Sequence, residues 1–112
     1  MIIKKKKKST ALKQLEKITG LSLTLGNTLW SIRTCDEESQ GTFAEKLGIS
    51  KSYLSDLECG RRFPSLRKAA EYARILGDSE AQFVRLCLQD MIDKEGLDLT
   101  IELHANSKLA YR

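Results

Sequence analysis

Residues 39–60 read SQGTFAEKLGISKSYLSDLECG, and this stretch predicts two short helices joined by a tight turn. Ser39 and Ser50 each precede a helix as an N-cap, because a serine hydroxyl accepts a hydrogen bond from the free N–H groups of the first turn. Gly48 and Gly60 follow the helices, and glycine adopts the left-handed conformation that ends a helix without a steric penalty. Each helix carries one apolar stripe at helical spacing. The stripes are Phe43, Ala44 and Leu47 in the first helix and Leu54 and Leu57 in the second.

A helix, a turn that contains glycine and a second helix together have the layout of a helix-turn-helix. The segment GISKSYLSDLECGRRFPS at residues 48–65 resembles this motif in the Xre/Cro/C1 repressor-like family. The preceding segment SQGTFAEKLG at residues 39–48 is similar to that family's second helix, including the glutamine at its start. The resemblance extends over roughly residues 22–77. It implies a helical domain that binds double-stranded DNA.

The resemblance also implies which residues contact DNA, since the second helix of the motif, the recognition helix, enters the major groove. We expect Lys51 to donate to guanine and Tyr53 to press on a thymine methyl group. Asp56 is expected to accept from cytosine, or to orient Lys51 or an arginine. Gln40 and the arginines after the helix are expected to hold phosphates. The predicted DNA-binding residues are Gln40, Ser50, Lys51, Ser52, Tyr53, Ser55, Asp56, Arg61 and Arg62.

Members of the family often pair an arginine of the first domain helix with a glutamate at the end of the recognition helix. Arg33 and Glu58 occupy these positions, and a bidentate pair between them would fix the angle between the two helices. The alternative is that both residues are solvated surface charges. Residues 35–38 depart from the family, which usually has an apolar residue where Glu38 stands. The geometry of this acidic connection is therefore open.

Length and charge agree with a small nucleic-acid-binding protein. The 112 residues suffice for one domain with short extensions. The 19 Lys and Arg residues against 15 Asp and Glu residues give a net charge of +4, which favours an anionic partner such as nucleic acid. Consecutive lysines at residues 4–8 form either a solvated tail or an arm that contacts DNA phosphate.

The sequence offers little for catalysis or for a cofactor. Its cysteines, Cys35, Cys59 and Cys87, form no CxxC pair, and His104 is its only histidine, which disfavours a zinc site. It has no glycine-rich phosphate loop and no nucleophile–base pair, so we expect neither an enzyme nor a bound cofactor. Cys59 beside two arginines suggests a redox-sensing thiol, against the simpler interpretation of an ordinary small residue. Reduced cysteines, with no secretory signal and no membrane-length apolar stretch, predict a cytoplasmic protein without a membrane partner.

Residues 97–104 alternate strictly between apolar and polar side chains, which predicts a half-buried β-strand. The rest of the chain contains no convincing partner strand, and a lone strand leaves its backbone groups unpaired. We therefore expect the strand to pair with its copy across a homodimer axis, or alternatively to add to the sheet edge of another protein. The predicted dimerisation residues are Leu97, Leu99, Ile101 and Leu103.

The predicted fold class is all-α: a five-helix repressor-like helix-turn-helix domain with an added N-terminal helix and a C-terminal β-strand that pairs across a dimer. The predicted segments are a basic N-terminal arm with a short helix (1–21), the helix-turn-helix DNA-binding domain (22–78), a C-terminal helix with the dimerisation strand (79–104) and a tail (105–112). In the helix that Ser65 caps, the expected apolar face consists of Leu66, Ala69, Ala70, Ala73 and Leu76.

The predicted function is sequence-specific binding to double-stranded DNA by a homodimer that acts as a transcriptional repressor on an inverted-repeat operator. One alternative is a HigA-like antitoxin that binds a toxin protein and represses its own operon, as small proteins similar to this family often do. Another is a protein-interaction module whose helix-turn-helix no longer binds DNA, which the acidic connection and Asp56 favour.

Overall fold

The computed structural model describes residues 24–104 and the backbone of residues 2–4. Within these residues there are five helices and two short strands. The helices are α1 (Leu25–Cys35), α2 (Gln40–Leu47), α3 (Lys51–Glu58), α4 (Leu66–Leu76) and α5 (Glu80–Lys94), and the strands are β1 (Ile2–Lys4) and β2 (Thr100–Glu102). The prediction of an all-α, five-helix domain is confirmed. The predicted N-terminal helix, the lysines after Lys4 and the C-terminal tail lie outside the described residues.

Serine caps set the start of both helices of the helix-turn-helix. The Ser39 hydroxyl accepts a hydrogen bond from the Thr42 N–H at 3.1 Å. The Ser50 hydroxyl accepts one from the Tyr53 N–H at 3.0 Å. Gly48 ends α2 with a φ of 75°, the left-handed value that glycine adopts without strain. The turn between α2 and α3 is therefore determined by local sequence.

The core forms where α4 packs along α5 and the other three helices close over them. Its largest fully buried side chain is Tyr72, which is 1% exposed. The predicted apolar face of α4 was wrong at Leu66, which is 40% exposed. Tyr72, which the predicted face did not include, is buried on this helix instead, and a buried aromatic ring contributes a large apolar area. Burial removes the Tyr72 side chain from water, and this desolvation raises the pKa of Tyr72 to about 12.

Asp90 is a buried carboxylate that joins α5 to the start of α1. Its Oδ2 accepts a hydrogen bond from the Leu25 N–H at 2.9 Å, which satisfies a donor that the first helical turn leaves free. Its Oδ1 is buried and has no hydrogen-bond partner among the described residues. Burial raises the pKa of Asp90 to about 6, partly opposed by the Leu25 hydrogen bond. The nearby Asp93 adds to this rise, whereas Arg85 opposes it.

The raised pKa of Asp90 predicts a pH-dependent contribution to stability. The folded state holds the proton more tightly than the unfolded state, so this contribution is complete below the unfolded value of 3.8 and is lost as pH rises through about 6. The loss amounts to about 1.4 kcal/mol for each unit by which folding raises the pKa. Asp90→Asn is expected to remove this slope. Paired urea unfolding of the variant and wild type from pH 4 to 7 should show the variant gaining relative stability, and a constant difference would contradict the assignment.

The C-terminal strand has a partner within its own chain, so the expectation that none exists was wrong. β1 pairs antiparallel with β2, and Ile3 lies opposite Ile101. Two successive β-branched residues, Ile2 and Ile3, favour a strand, but a stretch this short next to a lysine run was not recognised as one. β2 is also shorter than the predicted strand, and it covers Thr100–Glu102.

The other edge of β2 is held by the side chain of Gln89 on α5. The Gln89 amide donates to the Leu99 carbonyl at 2.7 Å and accepts from the Ile101 N–H at 2.9 Å, as a neighbouring strand would. Ile101 is 1% exposed, so its burial is accounted for within its own chain. Leu97, in contrast, is 51% exposed. Pairing of this strand across a dimer stays a prediction, and it requires a second copy to replace β1 or Gln89.

Candidate nucleic-acid interface

The N-terminal turn of α3 presents the two predicted DNA-binding side chains that are free within the domain. Lys51 and Ser52 are exposed, and neither side chain makes a hydrogen bond to the rest of the described chain. The Ser50 cap holds the backbone beneath them by accepting from the Tyr53 N–H. These two side chains are therefore available to base edges without the loss of an existing contact.

Tyr53 and Ser50 have structural roles besides any contact with DNA. The Ser50 hydroxyl is occupied by the N-cap hydrogen bond. The Tyr53 ring is half-buried and packs against the hydrophobic core. The guanidinium of Arg62 lies over the exposed side of this ring, 5.9 Å from its centroid. Tyr53 therefore links the recognition helix to the arginine loop that follows it.

Asp56 brings the two arginines of that loop together. Its Oδ1 accepts a hydrogen bond from Arg61 Nε at 2.8 Å, and its Oδ2 lies 3.3 Å from Arg62 Nε. Arg61 also donates to the Ser55 hydroxyl at 3.4 Å. The hydrogen bond to Asp56 raises the pKa of Arg61, and the neighbouring Cys59 adds to this rise. Asp56 was expected to accept from cytosine or to orient Lys51 or an arginine, and here its carboxylate contacts both arginines of the loop.

Arg33, Glu58 and Gln40 form one network behind the recognition helix. Arg33 donates to both carboxylate oxygens of Glu58, through Nε at 2.8 Å and Nη2 at 3.0 Å. The Gln40 amide donates to the same carboxylate at 3.0 Å. The Glu58 side chain is only 4% exposed and that of Arg33 is 16% exposed. These bonds tie α1, α2 and the end of α3 together.

This network limits what Gln40 offers to DNA. Its amide nitrogen donates one of its two N–H groups to Glu58, so only the second N–H stays available as a side-chain donor to phosphate, since Oε1 is an acceptor. Its backbone N–H is a further donor, because it lies in the first turn of α2 where no helical partner exists.

The acidic connection between α1 and α2 is folded back onto the domain. Glu38 forms an ion pair with Lys46 of α2 at 2.7 Å, and its carbonyl accepts from Arg33 Nη1 at 3.1 Å. Glu37 adopts a left-handed conformation with a φ of 54°, which ends α1 where a glycine is more usual. The residue that departs from the family pattern is therefore neutralised by a lysine of the next helix.

A glycine that the sequence analysis did not single out lets α1 approach the recognition helix. A Cβ placed on Gly26 would lie 2.4 Å from the Leu57 carbonyl oxygen and 2.8 Å from that of Glu58. Such distances are not compatible with any side chain. Gly26 is therefore required where α1 crosses the last turn of α3.

The cysteines differ in their surroundings. Cys35 and Cys59 are exposed, whereas Cys87 is buried, and burial raises the pKa of the Cys87 thiol to about 11. The Cys87 thiol donates to the Pro64 carbonyl at 3.4 Å, which attaches the arginine loop to α5. Cys87 therefore has a packing role that its spacing alone did not reveal.

Comparison with known proteins gives one positive result. The helix-turn-helix family model HTH_3, which is Xre/Cro/C1-like, matches residues 39–83. No curated protein and no solved structure matches the chain. None of the described helices has both the length and the apolar character needed to cross a membrane.

Proposed function

Because residues 39–83 form a helix-turn-helix of the Xre/Cro/C1-like family, we propose that this chain is a sequence-specific regulator of transcription that binds double-stranded DNA. The observation that carries the proposal is the free, exposed pair Lys51 and Ser52 at the start of the recognition helix. The N-terminal residues of this helix are those that reach base edges in the major groove. The family is regulatory and binds DNA, so no enzymatic role is proposed.

The division of contacts follows from the chemistry of each position. Lys51 donates to O6 or N7 of guanine, and Ser52 donates to or accepts from a neighbouring base. Arg61 and Arg62 are both more than half exposed on the loop after α3, and they hold phosphates on either side of the groove-bound helix. The positive N-terminus of α2, with the backbone N–H of Gln40, supplies a further phosphate contact.

We further propose that the protein acts as a homodimeric repressor on an inverted repeat. A two-fold dimer places its recognition helices about 34–36 Å apart, which is one helical turn of DNA. The exposed Leu97 offers one surface for a second copy, whereas pairing through β2 requires that copy to replace β1 or Gln89. Binding stoichiometry tests this part, because two chains per inverted repeat are expected and one chain per duplex would contradict it.

Lys51→Ala is the variant that tests the proposed function. We expect it to weaken binding to the operator by about 1–3 kcal/mol, and to relax the preference for guanine at one position of each half-site. The measurement is fluorescence anisotropy on the DNA upstream of the protein's own reading frame and on scrambled DNA, over a salt series. Wild type should prefer the upstream DNA and show a steep salt dependence.

A charge-matched control separates base contact from general electrostatics. Arg74→Ala removes the same positive charge from α4, where Arg74 pairs with Glu80. It should leave the sequence preference of the protein intact. If wild type binds both duplexes equally, or if Lys51→Ala and Arg74→Ala behave alike, the proposed sequence-specific function is wrong for this DNA.

A further inference from the structure

Asp56 is placed to control how strongly the arginine loop attracts DNA. Both of its carboxylate oxygens are engaged, one by Arg61 and the other by Arg62. The Asp56 side chain is 24% exposed, whereas those of Arg61 and Arg62 are 58% and 64% exposed. A carboxylate thus lies against the inner side of two cations that otherwise face the solvent.

We propose that Asp56 competes with DNA phosphate for Arg61 and Arg62, and that it thereby lowers the affinity of this protein for non-specific DNA. This inference rests on the proposed DNA-binding function and adds a regulating residue to it. Carboxylate and phosphate offer a guanidinium the same kind of acceptor, so a phosphate must replace or share the bonds that Asp56 now receives. The carboxylate also places a negative charge beside the path of the DNA backbone.

The ion pairs of Asp56 with Arg61 and Arg62 are weak enough for a DNA phosphate to replace them. Exposed ion pairs are weak, because both charges stay hydrated and the long side chains lose freedom when they pair. A phosphate held in register by base contacts therefore displaces Asp56. Non-specific complexes depend on phosphate contacts alone, so their affinity falls when two cations are partly neutralised.

Backbone hydrogen bonds hold the arginine loop in place, so Asp56→Asn can test the role of the carboxylate without disturbing the loop. The Asp56 carbonyl accepts from the Arg61 N–H at 2.9 Å and from the Arg62 N–H at 3.3 Å, so the main chain fixes the loop independently of the carboxylate. Asparagine keeps the size of the side chain, removes its charge and replaces one acceptor oxygen with an NH2 donor, so at most one arginine keeps its bond to residue 56. We therefore expect Asp56→Asn to fold normally, as circular dichroism and thermal melting would verify.

The experiment measures binding of a scrambled 20-base-pair duplex by fluorescence anisotropy over a salt series. Asp56→Asn is expected to raise this affinity by roughly three- to ten-fold at low salt and to steepen the salt dependence. Asp98→Asn makes the same chemical change at an exposed position outside the arginine loop, and it should bind as wild type does. In the Arg61→Ala background, the gain from Asp56→Asn should shrink.

Two outcomes would overturn the inference. Unchanged or weaker binding by Asp56→Asn would mean that the carboxylate orients the arginines rather than competing for them. An equal gain from Asp98→Asn would mean that net charge alone is responsible. Neither outcome bears on sequence preference, which the comparison of upstream with scrambled DNA measures, so failure of this inference is distinguishable from failure of the proposed function.

Discussion

Glu58→Ala is expected to lower the free energy of unfolding by about 2–3 kcal/mol, less than the usual cost of removing one partner from a fully buried ion pair, because this pair is only partly buried. The Glu58 carboxylate is 4% exposed and receives hydrogen bonds from Arg33 and Gln40. Its removal leaves the Arg33 guanidinium, only 16% exposed, without its carboxylate partner. It also frees the Gln40 amide that ties α2 to α3. Urea unfolding monitored by circular dichroism measures the loss.

Two further variants show whether the loss comes from a stranded buried charge. Glu71→Ala breaks an exposed ion pair with Lys68, and it should leave the free energy of unfolding nearly unchanged. Replacing both partners with apolar residues, as in Arg33→Met with Glu58→Leu, should recover much of the loss, because no unpaired charge then remains. If Glu58→Ala costs no more than Glu71→Ala, the network does not hold the helices together.

The parts of the fold that depend on neighbours in sequence could be predicted. Ser39 and Ser50 cap helices with their own hydroxyls, and Gly48 ends a helix through its own backbone freedom. These interactions span three or four residues, so the sequence pattern contains all of their components. The same holds for the apolar stripes of α2 and α3, whose period places them on one face.

The contacts that join distant segments could not be predicted in the same way. Asp90 caps a helix that begins 65 residues earlier in the chain, and Gln89 uses a side-chain amide to imitate a β-strand. A polar residue on the predicted α5 is ordinarily expected at the surface. Only the packing of α5 against α1 and β2 shows that these two side chains satisfy backbone groups of other elements.

The same distinction between local and long-range contacts applies to the candidate interface. Lys51 and Ser52 were predicted from their place at the start of the recognition helix, and the structure leaves them exposed. Which side chains Asp56 contacts depends instead on where the loop after α3 turns back. The alternatives of cytosine acceptor and arginine partner were equally compatible with the sequence. The loop geometry supports the second, since one carboxylate oxygen faces Arg61 and the other faces Arg62.

Gly26→Ala is expected to destabilise the protein at or above the upper end of the 1–3 kcal/mol that is typical of overpacking. The new Cβ would lie 2.4 Å from the Leu57 carbonyl oxygen and 2.8 Å from that of Glu58. Both are backbone atoms in the last turn of the recognition helix, so neither can move aside as a side chain can. To relieve the clash, α1 would have to shift away from α3. That shift would also stretch the bonds between Arg33 and Glu58.

Gly41→Ala is the matched control, because Gly41 also lies within a helix. Its Cβ would meet nothing closer than the Ser39 hydroxyl oxygen at 3.9 Å. Alanine is favoured over glycine in a helix by about 0.5–1 kcal/mol, so this variant should be as stable as wild type or more stable. Opposite effects of the same substitution on urea midpoints would locate the requirement for glycine at the crossing of α1 and α3. A tolerated alanine at position 26 would show that the two helices do not approach as closely as described.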